Sequence, residues 1–325
     1  MSLRTSDFDY PLPAGLVAAY PPPVRSDARM MVLDRAAGTV THTRFADFPS
    51  FLRPGDLCLL NNTKVVPARF FTDDGRIELV WLEEPEPGVW RCLVRPGRKM
   101  RPGAQVRVGG VVGTVLAVVA DGARLVRWDG AVDTARGRLA LPPYLGREEE
   151  QSDRHRYQTV FARHEGSVAA PTAGLHFTPE MLARLPHAFV TLHVGVGTFR
   201  PVQADNLADH EMHAERYVVT PETAAAVNAA GRVVAVGTTT VRVLESVCRG
   251  GRPFMPGEGE TAIFLHPPYA FQRTGALLTN FHLPKSTLLM LVCALAGRGF
   301  VLDAYRQAVA ERYRFFSYGD CMLVV

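Results

Sequence analysis

The sequence has few cysteines, few lysines and no long hydrophobic run. Its five cysteines are scattered over 325 residues without a C-x-x-C pair, so we expect neither a disulfide framework nor a cysteine zinc site. The longest apolar run, T-L-L-M-L-V-C-A-L-A-G at 287–297, is too short to span a bilayer and predicts a buried helix. The start, M-S-L-R-T-S-D-F-D-Y-P, lacks the apolar segment of a signal peptide. We therefore expect a cytoplasmic protein without a membrane partner.

Arginine provides nearly all of the positive charge. Only three of the 36 basic residues are lysines, namely Lys64, Lys99 and Lys285. In so arginine-rich a chain, a lysine stands either by chance at a solvated position or where a compact ammonium is needed in place of a planar guanidinium. The formal net charge of +4 permits RNA binding without requiring it.

Short β-type runs fill the region from about 70 to 140. They are R-I-E-L-V-W-L, V-W-R-C-L-V-R, Q-V-R-V, G-T-V-L-A-V-V and R-L-V-R-W, and Gly, Pro and Asp turns separate them. This spacing is typical of a small antiparallel β-barrel. We therefore predict a β-barrel domain over 70–149, inserted into a discontinuous domain made of 1–69 and 150–325.

Strand and helix patterns alternate from about 165 onward. A-F-V-T-L-H-V, R-V-V-A-V-G and A-L-L-T-N are predicted strands. Predicted helices are P-E-T-A-A-A-V-N-A-A-G, T-T-T-V-R-V-L-E-S-V, one from Thr178–Pro179 through Leu185, one beginning at Lys285 and one around 301–312. The larger domain is therefore predicted to be α/β with a mixed sheet.

The stretch D-H-E-M-H-A-E at 209–215 concentrates Asp209, His210, His213 and Glu215. Histidines three apart share one face of a helix, so the run fits a metal site, an acid/base pair or a solvated surface helix. A mononuclear catalytic zinc site needs three protein ligands, and no third ligand is evident nearby. Because histidine gains or loses a proton near neutral pH, acid/base or substrate-binding work is the favoured interpretation.

Polar clusters stand at four further predicted strand ends, at 169–177, 192–199, 234–242 and 279–287. Each alone also fits ordinary α/β structure. The helix start after Gly237 presents free N–H groups to an anion, and it is neither G-x-G-x-x-G nor a P-loop. Because ligands favour the carboxyl ends of strands, the four clusters together predict an active site at one edge of the sheet. The run Y-R-F-F-S-Y-G-D at 313–320 adds aromatic rings suited to a base or a sulfonium ion.

Several long blocks follow one another along the chain. They are D-F-D-Y-P-L-P, L-L-N-N-T-K-V-V-P-A-R, L-P-P-Y, V-A-A-P-T-A-G-L-H-F, T-L-H-V-G-V-G-T-F-R-P-V, D-H-E-M-H-A-E, V-A-V-G-T-T-T-V-R, L-T-N-F-H-L-P-K-S-T and Y-R-F-F-S-Y-G-D. In these blocks the sequence closely resembles the S-adenosylmethionine:tRNA ribosyltransferase-isomerases of queuosine biosynthesis. The middle insert matches weakly. One departure is L-H-P-P-Y at 265–269, where Pro268 replaces an expected glycine.

The resemblance implies a two-domain enzyme with a cleft between an α/β domain and an inserted β-barrel. It implies that S-adenosylmethionine is consumed as a ribosyl donor. The acceptor is the aminomethyl group of a deazaguanine base in the wobble position of a tRNA, and the products are epoxyqueuosine-tRNA, adenine and methionine. From the resemblance we expect no metal or redox cofactor, and a monomer.

This chemistry requires a general base, a proton donor, aromatic rings and anchors for the methionine group. His210 or His213 is the expected base or acid, oriented by Asp209 or Glu215, with His176 and His282 in reserve. The helix start at Thr238–Thr240 with Arg242 is expected to receive the methionine carboxylate. The expected S-adenosylmethionine-binding residues are Thr172, Gly174, His193, Gly195, Gly197, Thr198, Thr238, Thr239, Thr240, Arg242, Asn280, Lys285, Ser286, Phe315, Phe316 and Tyr318.

Basic residues of the insert are the expected phosphate contacts for tRNA, although a solvated hairpin face explains them equally well. The expected tRNA-binding residues are Arg25, Arg29, Asn62, Lys64, Arg69, Arg95, Arg98, Lys99 and Arg101, with Arg91 and Arg107 beside them; Arg147, Arg154 and Arg156 offer an alternative path. Two other functions stay open. One is a metal-dependent RNA-processing hydrolase that uses the His210/His213 run, and the other is a non-catalytic RNA-binding protein.

Overall fold

The computed structural model describes residues 3–195, 197, 202 and 204–325. The strands are β1 (Arg29–Asp34), β2 (Thr39–Arg44), β3 (Asp56–Asn61), β4 (Thr63–Val65), β5 (Arg69–Phe71), β6 (Glu78–Glu86), β7 (Val89–Arg95), β8 (Gln105–Val108), β9 (Val111–Val118), β10 (Arg124–Trp128), β11 (His164–Ser167), β12 (His187–Leu192), β13 (Glu215–Val219), β14 (Arg232–Val236), β15 (Gly257–Thr261), β16 (Thr274–Asn280) and β17 (Cys321–Val324). The α-helices are α1 (Asp153–Arg156), α2 (Pro179–Leu182), α3 (Pro221–Ala229), α4 (Thr238–Val247), α5 (Thr287–Ala296) and α6 (Arg298–Ala310).

A nine-stranded mixed sheet forms the larger part of the fold. Its strand order is β15-β13-β12-β3-β14-β16-β17-β1-β2. The four central strands β12, β3, β14 and β16 run parallel, while β13, β15 and β2 pair antiparallel with their neighbours. Strand β17 is antiparallel to β16 and parallel to β1. The prediction of a mixed-sheet α/β fold is confirmed.

Both faces of the central strands β3, β14 and β16 are buried, which explains their continuous apolar runs. In β3, Leu57 and Leu59 point into a core that also contains residues of α4, α5 and α6. The alternate residues Cys58 and Leu60 point into a second core with Phe45, Phe48 and Phe177. This two-sided burial fixes the register of the central strands, and therefore the positions at which they end.

The insert is a second, antiparallel sheet of six strands in the order β5-β6-β7-β10-β9-β8. All five predicted β-type runs are strands of this sheet, and their inner face packs around Trp90 and Trp128, whose rings meet edge to face. The edge strands β5 and β8 form no ladder with each other in the described residues. Asp73 ties the two edges: its backbone N–H donates to the Arg107 carbonyl at 2.8 Å, and its carboxylate accepts from the N–H groups of Gly109 and Gly110 at 2.7 and 3.0 Å. The sheet is a curled half-barrel; a closed barrel with boundaries at 70 and 149 stays a prediction.

The stretch 209–215 is not helical, so the expectation that its histidines share a helix face is wrong. A single 3₁₀ turn ends at Asp209, the residues after it are irregular, and β13 begins at Glu215. The run has no apolar stripe that would bury one side of a helix. The buried Glu215 is instead fixed at the start of β13, between β12 and β15, by an ion pair with Arg242.

Three helix boundaries also differ from their predicted positions. α2 ends at Leu182, because tight turns lead from there to Pro186, which disfavours helix in the residue before it. α5 begins at Thr287, since Ser286 caps it by accepting from the Leu289 N–H at 3.2 Å. Lys285 has a φ of 59°, so it lies outside that helix. α6 runs from Arg298 to Ala310.

No single helix of the described chain has the length and apolarity needed to cross a membrane. Only α5 and α6 taken together reach that length, and they meet at a bend of 118°.

Candidate active site

The strand ends β12, β14 and β16 converge, as predicted, on two adjoining cavities. The first, which we call the neutral cavity, has an empty volume of about 730 Å³, open solvent included. The predicted residues that line it are Thr172, Thr238, Thr239, Asn280, His282, Ser286 and Phe316.

The second cavity, which we call the charged cavity, contains the 209–215 stretch and has a volume of about 1270 Å³. The predicted residues that line it are Gly197, Asp209, His210, His213, Glu215, Thr239 and Arg242. Asp121, from the turn between β9 and β10 of the insert, also lines it. Within the described residues, no group of three His, Cys, Asp or Glu side chains is arranged to hold a metal ion.

Thr239 and Leu288 line both cavities and therefore mark their junction. Thr239 lies in the first turn of α4, where the first helical hydrogen bond runs from the Val241 N–H to the Gly237 carbonyl. The N–H groups before it have no acceptor within the helix. The buried Thr239 hydroxyl also has no hydrogen-bond partner among the described residues. Unpartnered donors thus point to a ligand at this junction.

Asn280 connects the end of β16 to the aromatic segment near the C-terminus. Its Nδ2 donates to the carbonyls of Phe316 at 2.9 Å and Ser317 at 3.3 Å. Its Oδ1 therefore accepts, and His176 donates to it from Nε2 at 3.1 Å. These bonds hold Phe316 at a φ of 71°, a conformation that costs free energy unless the surroundings enforce it. The result is a fixed Phe316 ring beside Tyr144, with ring centroids 4.6 Å apart.

His282 is a buried, neutral imidazole of the neutral cavity. Its Nε2 is 2.8 Å from the Thr279 hydroxyl, and its backbone N–H donates to the Tyr305 hydroxyl at 3.1 Å. Burial lowers its pKa to about 3, and burial lowers the pKa of His176 to about 4. Both therefore stay neutral near pH 7, which rules them out as proton donors in the free enzyme but leaves them able to form hydrogen bonds.

His210 and His213 differ in their surroundings. His210 is half-buried and meets the Phe264 ring edge to face at 5.1 Å between centroids. Burial, and then the neighbouring His213, lower the pKa of His210. His213 is exposed and packs over Gly197, where an added Cβ would lie 2.6 Å from its ring. His210 is therefore held in its neutral, proton-accepting form at neutral pH.

Arg242 is engaged by protein groups on both terminal nitrogens. One donates to the Glu215 carboxylate, and the other donates to the Thr261 carbonyl at 3.1 Å. The second carboxylate oxygen of Glu215 accepts from the Gly195 N–H at 3.2 Å. Arg242 and Glu215 thus tie α4, β13, β15 and the loop after β12 together behind the cavities.

Other predicted binding residues lie away from both cavities. His193 bonds the Thr63 hydroxyl at 2.9 Å, and Lys285 pairs with Asp9 at 2.8 Å. Tyr318 donates to Asp153 at 2.7 Å, and Phe315 is fully buried in the core. Gly174 packs against Phe161, Thr240 donates to the Val236 carbonyl, and Thr198 lies outside the described residues.

The predicted tRNA contacts fall into two groups. Arg95, Arg98, Lys99 and Arg101 are exposed around the loop between β7 and β8, Arg107 is exposed on β8, and no carboxylate of the described chain pairs with any of these five. The other expected residues contact groups within the protein. Six form ion pairs with carboxylates: Lys64 with Glu165, Arg69 with Glu78 and Glu148, Arg91 with Glu83 and Asp121, Arg147 with Asp153, and Arg154 with Glu149, while Arg29 lies over the Tyr313 ring and pairs with Glu311. The remaining three form hydrogen bonds: Arg25 with the Leu175 and His155 carbonyls, Asn62 with Thr191, and Arg156 with the Pro22 and Pro23 carbonyls.

Several residues that line the cavities were not predicted from the sequence. Tyr144, Tyr157 and Ser317 line the neutral cavity, and the Tyr144 hydroxyl lies 2.6 Å from Ser317 Oγ. Tyr144 belongs to the block L-P-P-Y, which was a usable signal. Asp121 offered none, because nothing in its turn distinguishes it from other hairpin turns.

Replacing Gly319 with alanine is expected to disturb the segment that presents Phe316. An added Cβ would lie 2.4 Å from the Arg314 carbonyl oxygen and 2.6 Å from the Phe315 carbonyl carbon, so the backbone must shift. We expect a loss of about 1–3 kcal/mol in the free energy of unfolding and reduced turnover. Gly15→Ala is the control, because nothing lies within 4 Å of its added Cβ. Equal stability and activity of the two variants would contradict this account.

Comparison with known proteins gives a consistent result. Residues 5–324 match a family described as "Queuosine biosynthesis protein". The chain is 48% identical over 343 residues to an S-adenosylmethionine:tRNA ribosyltransferase-isomerase of Symbiobacterium thermophilum, covering 99% of this chain and 100% of that one. It is also 48% identical to the protein of the same description from Anaeromyxobacter dehalogenans, covering 99% of each chain.

A solved structure is similar over nearly the same length. It is the crystal structure of an S-adenosylmethionine tRNA ribosyltransferase from Thermotoga maritima, with 38% identity and a TM-score of 0.58. The alignment covers 98% of this chain and 100% of that one.

Proposed function

Because the chain belongs to the queuosine biosynthesis protein family, we infer that it transfers and isomerises the ribosyl group of S-adenosylmethionine onto a tRNA base. The observation that carries this function is the match along the whole chain to relatives of that activity. The acceptor is the aminomethyl group of the deazaguanine base in the wobble position, and the products are epoxyqueuosine-tRNA, adenine and methionine. The alternatives, a metal-dependent hydrolase and a non-catalytic RNA-binding protein, are not favoured.

Proton transfer is the part of this reaction that the charged cavity supplies. The sulfonium acidifies the adjacent ribose methylene, and His210, held neutral at neutral pH, is the proposed base. His213 is the second candidate for proton transfer, since it lies in the same cavity and is solvent-exposed. Asp209 remains a proposed orienting group. Glu215 acts through Arg242 and Gly195, so it is a positioning residue.

The start of α4 is the proposed anchor for the methionine carboxylate. Its free N–H groups and the unpartnered Thr239 hydroxyl lie at the junction of the cavities, where an anion gains from the helix N-terminus. Arg242 is a positioning residue for this anchor, because its terminal nitrogens already donate to Glu215 and to the Thr261 carbonyl.

The insert is the proposed domain over 70–149, and its half-barrel borders the charged cavity through Asp121. The turn of Asp121 and the loop with Arg95, Arg98, Lys99 and Arg101 lie at the same end of the sheet, because β7 and β9 both end there. Unpaired basic groups beside the proton-transfer site are well placed for the phosphates of an anticodon. A cytoplasmic monomer is part of the same proposal.

Neutralising Arg95, Arg98, Lys99 and Arg101 together with glutamine is expected to flatten the salt dependence of tRNA binding. Each lost phosphate contact reduces the slope of log K against log salt concentration by about 0.7–0.9. Filter binding over a range of salt concentrations measures this slope. The matched control replaces Arg184, Arg249, Arg252 and Arg306, which are exposed and line neither cavity. An unchanged slope in the first variant would move the tRNA path elsewhere.

The activity is tested by incubating the purified chain with S-adenosylmethionine and tRNA that contains the precursor base. Free adenine and methionine are expected, and tRNA with an unmodified guanine in the same position should yield neither. RNA cleavage that a chelator abolishes would instead support the hydrolase. Tight tRNA binding without any small-molecule product would support the non-catalytic protein.

A further inference from the structure

The neutral cavity differs from its neighbour in charge. Its polar lining consists of hydroxyls of threonine, serine and tyrosine, the Asn280 amide and the His282 imidazole, and no Asp, Glu, Lys or Arg of the described chain lines it. The charged cavity is lined by Asp121, Asp209, Glu211, Glu215 and Arg242. Because burying an unpaired charge is costly, the neutral cavity selects an uncharged ligand group.

Its walls also suit a flat group. The rings of Phe316 and Tyr144 line it side by side, and Phe281 contributes a third aromatic residue. Asn280 fixes the backbone on which Phe316 stands, through the two bonds from its Nδ2. Nucleobases stack on such aromatic surfaces, and they gain specificity from a few polar groups at their edges.

Two buried hydroxyls of this cavity, those of Thr239 and Tyr157, have no hydrogen-bond partner among the described residues. Buried polar groups are normally hydrogen-bonded, so two unsatisfied hydroxyls on one cavity indicate a missing polar ligand. His282 lines the same cavity; its Nε2 is paired with Thr279, and its Nδ1 forms no hydrogen bond with another described residue.

We propose that the neutral cavity binds the adenine base of S-adenosylmethionine. His282 is the specificity-determining residue, because it forms a hydrogen bond with the edge of that base. The proposal rests on the proposed function. The methionine carboxylate then meets the start of α4 at the Thr239–Leu288 junction, and the ribose and sulfonium face the charged cavity beside it.

The tRNA base is the competing occupant of the neutral cavity. Its aminomethyl group is a cation at neutral pH, which an uncharged lining does not stabilise. It also arrives attached to a phosphate backbone, and the unpaired basic residues of the insert lie on the side of the charged cavity. The neutral cavity is therefore assigned to the leaving base, and the charged cavity to the incoming amine.

Calorimetric titration of the full chain with free adenine tests the assignment. We expect adenine to bind the wild type, and its Kd to rise at least about tenfold in both His282→Leu and Phe316→Leu. Methionine titrated into the same variants should keep its Kd within about twofold, which would show that they are folded. His187→Leu is the matched histidine control, because His187 begins β12, at the opposite end of the sheet from the cavities.

A second measurement keeps base recognition separate from folding. The wild type should prefer S-adenosylmethionine over its 6-oxo analogue, which has hypoxanthine in place of adenine, by at least about tenfold in kcat/KM. His282→Leu should reduce that preference. Undetectable adenine binding to the wild type, or adenine binding weakened by His210→Ala and not by His282→Leu, would overturn the assignment. Wild-type turnover with precursor tRNA would in that case leave the proposed function standing, whereas absent turnover would count against the function itself.

Discussion

Replacing His210 with alanine is expected to lower turnover about 10²–10⁴-fold, because a general base typically contributes that much. His210 lines the charged cavity, and burial and His213 lower its pKa from the ordinary value of 6.5. A base works in its deprotonated form, so activity should be lost as the pH falls through this lowered pKa. The acid limb of the pH–rate profile of the wild type should therefore lie below pH 6.5.

The matched comparison for this prediction is His213→Ala, measured by adenine release at saturating substrates. His213 is exposed and packs over Gly197, so we expect a smaller loss than for His210→Ala. The acid limb should disappear in His210→Ala and persist in His213→Ala. Nearly full rates in both variants would refute proton transfer by this stretch. His176 and His282 would not replace it as proton donors, because burial lowers the pKa of both and keeps them neutral.

Replacing Arg242 with alanine is expected to reduce the free energy of unfolding by about 3–5 kcal/mol, because it leaves a buried carboxylate without its partner. The side chains of Arg242 and Glu215 are each 7% exposed. The Gly195 N–H and the Thr261 carbonyl bond the same pair, so the loop beside His213 should loosen as well. The KM for S-adenosylmethionine should rise, and an unchanged KM would separate Arg242 from the substrate site.

Urea unfolding of three variants tests this account of the ion pair. Arg242→Met combined with Glu215→Leu should be more stable than Arg242→Ala, since the double change removes the unpaired charge. Arg216→Ala is the control. Arg216 follows Glu215 on β13, and its ion pair with Glu260 is exposed and 3.8 Å long. The control should change stability by less than about 0.5 kcal/mol. An Arg242→Ala variant as stable as Arg216→Ala would contradict a structural role for the pair.

The parts of the fold that were predictable are those that local sequence determines. The five β-type runs of the insert were identified by the Gly, Pro and Asp turns between them, and all five are strands. The clusters at 234–242 and 279–287 meet because the parallel strands β14 and β16 end at a common edge, a property of the α/β architecture. The cluster at 169–177 follows β11, a strand of a separate two-stranded sheet, and lines the same cavity.

The parts that were missed depend on contacts between distant residues. The helical interpretation of 209–215 failed because Glu215 is fixed by Arg242, 27 residues away on another element. Tyr144 and Ser317 are 173 residues apart in sequence, and only the folded chain shows that they share a cavity. The division between a neutral and a charged cavity depends on which residues line each one, and local sequence patterns do not reveal this.

The most direct test of ribosyl transfer uses S-adenosylmethionine labelled with carbon-13 in its ribose and with carbon-14 in its methyl group. After reaction with precursor tRNA, the tRNA nucleosides and the small molecules are separated and analysed. We expect carbon-13 in the modified wobble nucleoside, carbon-14 only in methionine, and one adenine released for each nucleoside modified. Carbon-14 in the tRNA, or adenine release without carbon-13 in the tRNA, would contradict ribosyl transfer.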